Sequence, residues 1–179
     1  KNEVETTKQV ITEEPKENTN YIFTSDDIKV YPKKVENTFI DASLQLATPD
    51  KSIMIGENEF TYTVNQYDLK SQTKDTNAED LANSKKGQHI HFIVDNGPYA
   101  AQYAPIFNAT LDEGTHIILA FLSRSHHESL KQPRAYVLKQ YMLGENATPL
   151  ADIDKDPMLF YSRPKGTYKA AENSKILLD

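Results

Sequence analysis

The sequence predicts an all-β protein, an immunoglobulin-like β-sandwich of about eight strands with a short helix on one long connection. Over much of the chain after residue 20, apolar side chains recur at every second position, which is typical of strands with one buried face. Turn signals rich in Asp, Asn, Gly and Pro separate these stretches. The 179 residues, 38% of them hydrophobic, are enough to bury one sizeable core. One folded domain, residues 21–179, is therefore expected.

Residues 1–20 are expected to lie outside that domain. They contain many Glu and Lys residues, and Val4, Val10 and Ile11 are their sizeable apolar side chains. Such a segment cannot bury enough apolar surface to fold. We interpret it as a flexible tether, or as a disordered terminus without that role.

Alternation is clearest in two segments, residues 39–47 and residues 59–65. Both are predicted to be strands with one solvated face. Further strands are predicted at residues 28–31, 88–95, 115–123, 135–143, 158–161 and 176–178. The helix signal lies at residues 76–86, where Thr76 and Glu79 have the spacing of a capping box.

Composition argues against several classes of function. A net charge of −6 argues against a nucleic-acid backbone or an anionic membrane surface as partner, because both attract clustered Lys and Arg. The absence of cysteine excludes disulfides, thiolate metal sites and a cysteine nucleophile. No apolar run approaches the ~20 residues that cross a bilayer, so we expect a soluble protein whose export signal has been removed.

The common catalytic motifs are absent. The sequence contains no Gly-X-Ser-X-Gly elbow, His-Glu-X-X-His helix, phosphate-binding glycine loop or dinucleotide fingerprint. A triad of Ser123 or Ser125, a histidine and Asp95 stays open, but no spacing selects it. We therefore expect a protein that is not an enzyme.

The five histidines all lie between positions 89 and 127, and two of them occur in the segment QHIHFIVD, residues 88–95. In a strand, His89 and His91 lie on the face opposite Ile90, Phe92 and Val94. Two imidazoles on one strand face are close enough to bind one ion. With another histidine or a carboxylate, they predict a copper or zinc site. The alternative is that both lie on a hydrated sheet face.

A Ser-Arg pair follows each of two apolar runs. Residues 115–123 are apolar on both faces, which predicts a central strand, and Arg124 follows it. Arg163 follows the run at residues 158–161. Two arginines at strand ends can clamp a carboxylate or phosphate. The predicted ligand-binding site is lined by Asp95, Asn96, Tyr99, Arg124, His127, Glu128 and Arg163. The alternative is that each arginine pairs with one of the 26 acidic residues.

Three blocks resemble those of an uncharacterised family of exported bacterial proteins, often predicted lipoproteins. The blocks are GQHIHFIVDNGPYAAQY (87–103), LAFLSRSHHES (119–129) and MLFYSRPKGTY (158–168). With their connections they cover about the second half of the chain. The resemblance implies an extracytoplasmic protein that contacts the membrane only through a removed N-terminal lipid anchor. It implies no catalytic residues.

Two functions are predicted. The first is a non-catalytic, extracytoplasmic binding module whose polar site takes a small anionic ligand or a protein partner. The second is a copper- or zinc-binding protein that uses His89 and His91. Neither prediction involves nucleic acid, and only the second requires a cofactor.

Overall fold

The computed structural model describes residues 23–25, 28–32, 38–49, 53–75, 78, 81–167 and 176–179. The chain divides into two compact units, Lys1–Glu36 and Asn37–Asp179. In the first unit, β1 (Phe23–Ser25) and β2 (Ile28–Val30) form an antiparallel pair. The predicted tether, residues 1–20, lies outside the described residues.

The second unit contains two antiparallel sheets. Its strands are β3 (Ser43–Thr48), β4 (Gly56–Asn65), β5 (His89–Val94), β6 (Ala100–Gln102), β7 (Ile106–Leu111), β8 (Gly114–Ser123) and β9 (Tyr136–Leu143). One sheet has the order β3-β4-β7 and the other has the order β6-β5-β8-β9. The predicted all-β sandwich is confirmed.

The main core lies between these two sheets. Phe60 of β4 and Phe92 of β5 meet edge to face, with ring centroids 4.9 Å apart. Ile90 is buried in the same core, and Val94 packs against it. Strand alternation therefore directs His89 and His91 to the opposite, outer face of β5, as predicted.

The outer face of the four-stranded sheet is also covered. Ile93, Tyr99 and Phe121 form a second buried apolar cluster there, and Phe160 packs against it. The central strands β5 and β8 therefore have apolar neighbours on both faces. This cover explains why the histidines of β5 do not lie on a hydrated surface.

Two predicted strands, at residues 158–161 and 176–178, are not strands. Residues 158–161 cross the outer face of the sheet, where Phe160 packs, without joining a ladder. The backbone N–H of Ser162 donates to the carbonyl of Asp179 at 2.8 Å, which holds the second segment beside the first. Both runs are irregular chain in which Phe160 packs on the sheet, while Leu159, Tyr161, Ile176 and Leu178 are exposed.

The predicted helix at residues 76–86 is not seen in its described part, residues 78 and 81–86, which contains turns and bends. Tertiary hydrogen bonds hold this connection instead. Gln72 donates to the carbonyl of Ser84 at 3.0 Å, and the N–H of Ser84 donates to the carbonyl of Ser125 at 2.7 Å. Within the described ranges, no helix has the length and hydropathy needed to cross a membrane.

Candidate functional site

Two histidines of the candidate site come from β5. His89 and His91 point to the outer face of the strand, and the exposed fraction of each residue is 0%. Their Nε2 atoms lie 2.9 Å apart. The two imidazoles are therefore adjacent and fully shielded from solvent.

The third histidine comes from the loop after β8. The antiparallel register of β5 and β8 pairs His89 with Ser123, so the residues that follow Ser123 lie beside His89. The N–H of His127 donates to the carbonyl of Arg124 at 2.9 Å, and His127 has a left-handed φ of 71°. This turn places the ring of His127 4.9 Å from the ring of His89, measured between centroids.

One nitrogen from each of His89, His91 and His127 lies within 4.8 Å of the other two. We call these residues the three-histidine cluster. The sequence prediction left the third metal ligand open and assigned His127 to the anion site. The structure brings His127 to the His89 and His91 pair.

The backbone fixes the tautomer of His89. Its Nδ1 lies 2.8 Å from the carbonyl oxygen of Gly87, which only an N–H at Nδ1 can satisfy. The Nε2 of His89 therefore presents a lone pair to His91. This arrangement, in which one ring nitrogen donates to a carbonyl and the other is free to bind, is typical of metal-ligating histidines.

His91 has one ring nitrogen without a hydrogen-bond partner among the described residues. This nitrogen, Nδ1, is buried. Buried polar atoms are nearly always hydrogen-bonded, and exceptions in native proteins are concentrated at functional sites.

Burial keeps the three imidazoles neutral. Desolvation lowers the pKa of His89, partly offset by its bond to Gly87, and lowers the pKa of His91 well below its usual value. Desolvation and the charge of Arg163 lower the pKa of His127 to about 3. All three rings are therefore unprotonated at neutral pH, the form that binds metal ions.

Tyr99 forms one wall of the cluster. Its ring stacks on His91 with centroids 3.7 Å apart and planes 8° apart. Its hydroxyl lies 3.4 Å from Nδ1 of His127 and accepts a hydrogen bond of 2.5 Å from Arg163. The ammonium of Lys165 lies 4.0 Å from the Tyr99 ring centroid. This wall therefore carries a phenol and two cations.

Arg124 and Glu128 belong to a second buried cluster, with Asp75 and His126. The guanidinium of Arg124 lies 3.2 Å from Asp75 and 3.5 Å from Glu128, and His126 lies 2.9 Å from Glu128. The geometry of the three non-arginine residues would also admit an ion. Because Arg124 already supplies positive charge to both carboxylates, we interpret this cluster as a structural ion-pair network.

The predicted anion clamp required Arg124 and Arg163 to act on one ligand. Arg124 contacts Asp75 and Glu128, whereas Arg163 contacts Tyr99 beside the three-histidine cluster. The two arginines thus belong to different clusters. Of the predicted anion-binding residues, Tyr99, His127 and Arg163 are brought together.

Asp95 and Asn96 hold a turn at the other end of β5. Asp95 accepts a hydrogen bond from the N–H of Ile117 at 2.8 Å. Asn96 donates to the carbonyl of Leu159 at 3.2 Å and accepts from the N–H of Tyr161 at 3.2 Å. These predicted ligand-binding residues therefore organise the turn and the segment that covers the sheet.

Two residues beside the cluster, Tyr103 and Lys165, are absent from the predicted site. The Tyr103 ring centroid lies 4.9 Å from that of His89, and Lys165 donates to the carbonyl of Tyr99 at 2.8 Å. The available signal was proximity in sequence. Tyr103 lies in the same block as Tyr99, and Lys165 lies two residues after Arg163.

A cavity of about 420 Å³ lies on the same outer face, between the sheet and the segment that contains Phe160. Phe121 lines this cavity, and its ring centroid is also 4.9 Å from that of His91. Phe121 therefore lines the cavity and also lies beside the three-histidine cluster.

His116 joins two turns through hydrogen bonds that both require it to donate. Its Nδ1 lies 2.7 Å from a carboxylate oxygen of Asp95, and its Nε2 lies 3.0 Å from the carbonyl of Asp112. Desolvation lowers the pKa of His116, but the hydrogen bonds and negative charge of Asp95 and Asp112 outweigh it, so the pKa is raised overall. The protonated ring is therefore favoured by the fold.

We expect His116→Gln to destabilise the protein more at pH 5.5 than at pH 8.5. A folded-state pKa above the unfolded value of ~6.5 contributes stability that is complete below ~6.5 and is lost as pH rises through the folded pKa. Urea unfolding of both proteins at the two pH values measures the difference. An equal loss at both values would show that the charge of His116 does not contribute.

Comparison with known proteins gives no match for this chain among family models, curated proteins or solved structures. The chemistry of the three-histidine cluster is therefore the basis for assigning a function.

Proposed function

We propose that this protein binds one copper or zinc ion through His89, His91 and His127. The observation that carries the proposal is the approach of three imidazole nitrogens to within 4.8 Å of one another. Imidazole is a good ligand for both metals, with metal–nitrogen distances of ~2.0–2.1 Å. Small movements of the rings would bring all three nitrogens to one ion.

The spacing of the β5 pair fits two ligands of a single ion. Two nitrogens each ~2.05 Å from an ion lie about 2.9 Å apart when they subtend a right angle, and about 3.3 Å apart in a tetrahedron. The Nε2 atoms of His89 and His91 are 2.9 Å apart. This separation lies within a few tenths of an ångström of both values, so it suits either ion.

Three protein ligands leave a further coordination position. Structural zinc sites in proteins are closed by four protein ligands, whereas sites that exchange a ligand keep one position open. The cluster therefore supports a binding or carrier function better than a purely structural one. In this proposal, the extracytoplasmic location and the absence of catalysis stay predictions.

Calorimetric titration of untagged, chelator-treated protein at pH 7 tests the proposal. We expect uptake of one equivalent of copper(II) or zinc. His89→Ala with His91→Ala should remove this uptake. His116→Gln should keep it, because His116 lies outside the cluster and contacts Asp95 and Asp112.

A second control addresses the ion-pair network. Glu128→Gln removes a carboxylate from the alternative ligand set and leaves the three-histidine cluster intact. Metal uptake that survives in the variant with His89→Ala and His91→Ala but is lost in Glu128→Gln would show that the ion binds to the ion-pair network and not to the three-histidine cluster. If neither ion binds the wild-type protein, the proposed function is wrong.

A further inference from the structure

The ligands of the three-histidine cluster bring no negative charge. A histidine ligand binds a metal ion as a neutral imidazole, and the buried residue beside these three, Arg163, is a cation with an exposed fraction of 9%. A divalent ion at this position would place two more positive charges in a buried environment. Buried charge is costly unless a group of opposite charge accompanies it.

The carboxylates nearest in sequence do not supply that charge. Glu128 directly follows His127, but it contacts Arg124 and His126. Asp75, the other acidic residue of that network, lies 3.2 Å from Arg124. Both are thus committed to the ion-pair network. Among the described residues, neither of these two carboxylates is therefore placed to balance the charge of the ion.

We propose that the metal-loaded protein binds one small anion as a further ligand of the ion, on the side of the cluster lined by Tyr99 and Arg163. This inference rests on the proposed metal-binding function. The anion class is a monoanion of the size of azide, formate or bicarbonate. Its negative charge compensates the ion, and the ion and the side chains together form the site.

The contacts of Tyr99 locate this anion site. Its hydroxyl oxygen lies 3.4 Å from Nδ1 of His127 and 2.5 Å from a guanidinium nitrogen of Arg163. Arg163 is thus two hydrogen-bond lengths from a ligand ring. A guanidinium and a phenol hydroxyl are both groups that recognise anions in proteins.

The surroundings restrict the anion to a small one. The ring of Tyr99 stacks directly on His91, and Tyr103 lies against His89. Phe121 contacts the far side of His91. Aromatic rings therefore enclose the β5 pair, and the approach beside His127 is the less buried one.

Azide titration of the copper(II)-loaded protein tests the inference. Azide bound to copper(II) gives a charge-transfer absorption band, and the copper(II) electron paramagnetic resonance spectrum changes with it. We expect saturable binding of one azide per copper, and no azide binding to the metal-free protein. Copper content is measured first for every variant, so that azide affinity refers to loaded protein.

Three variants separate the contributions of the side chains. Arg163→Gln should weaken azide binding about tenfold or more, because it removes a charge-assisted donor. Lys165→Gln, at an exposed position, should weaken it severalfold and serves if the first variant fails to fold. Arg134→Gln removes an arginine whose side chain is 67% exposed and should leave azide affinity unchanged.

The outcomes distinguish this inference from the function on which it rests. If copper does not bind to the wild-type protein, the proposed function fails and the anion site fails with it. If copper binds and azide does not, the anion site is wrong and the metal function stands. Azide affinity that is equal in wild type, Arg163→Gln and Lys165→Gln would also overturn the anion site, because the ion alone would account for the binding.

Discussion

Phe92→Ala is expected to destabilise the protein by ~3–5 kcal/mol, through the apolar area lost and the cavity left in a packed core. Phe92 has an exposed fraction of 4%, and its ring contacts those of Phe60 and Phe107 at centroid distances of 4.9 Å and 5.1 Å. Both contacts cross from one sheet to the other. The substitution therefore weakens the interface that defines the sandwich.

Urea unfolding measures this loss, and Leu159→Ala is the matched control. Leu159 has an exposed fraction of 86%, so its truncation should change stability by less than ~0.5 kcal/mol. Because domains of this size are stable by only ~5–15 kcal/mol, Phe92→Leu provides a milder variant if Phe92→Ala is largely unfolded. Equal losses for Phe92→Ala and Leu159→Ala would contradict the assignment of Phe92 to the core.

His127→Gly is expected to weaken metal binding by about 100-fold or more, which corresponds to ~2.7 kcal/mol, while it changes fold stability by no more than ~1 kcal/mol. The loss follows from removing one of three ligands. The fold tolerates glycine because His127 has a φ of 71°, a conformation that glycine adopts at little cost. His127 is also only partly buried, unlike His89 and His91.

Competition with a chromophoric chelator measures the affinity of the His127→Gly variant, and urea unfolding of the metal-free proteins measures its stability. Wild-type affinity in the variant would mean that the β5 pair holds the ion without the loop. A large loss of stability without metal would mean that His127 is mainly a structural residue. The pair of measurements therefore assigns the role of His127.

The fold was largely predictable because alternation in a strand is a local property. The segment QHIHFIVD predicts that Phe92 faces the core and that His89 and His91 face away from it, and the structure confirms this. Alternation does not show what covers the outer face. The side chains that cover His89 and His91 include Tyr99 and Tyr103, which flank β6, and His127 in the loop after β8, and no local pattern connects them to β5.

The site was predictable only in part, for the same reason. His127 reaches the cluster because β8 pairs with β5 in one register and because His127 takes a left-handed conformation. Neither the strand register nor the left-handed conformation can be predicted from the spacing of residues in the sequence. Arg124 and Arg163 follow similar apolar runs, but only the first run is a strand, so the similarity of the two segments does not bring their arginines to one ligand.

The complete burial of His89 and His91 has a consequence for the speed of metal exchange. On the proposed function, we expect an ion to enter past the loop that carries His127, because His127 is less buried than the other two ligands. Uptake then proceeds at the rate of local opening of that loop, which is slower than diffusional encounter. On the proposed function, the loop sets the rate at which the ion enters and leaves, and it also supplies part of the affinity through His127.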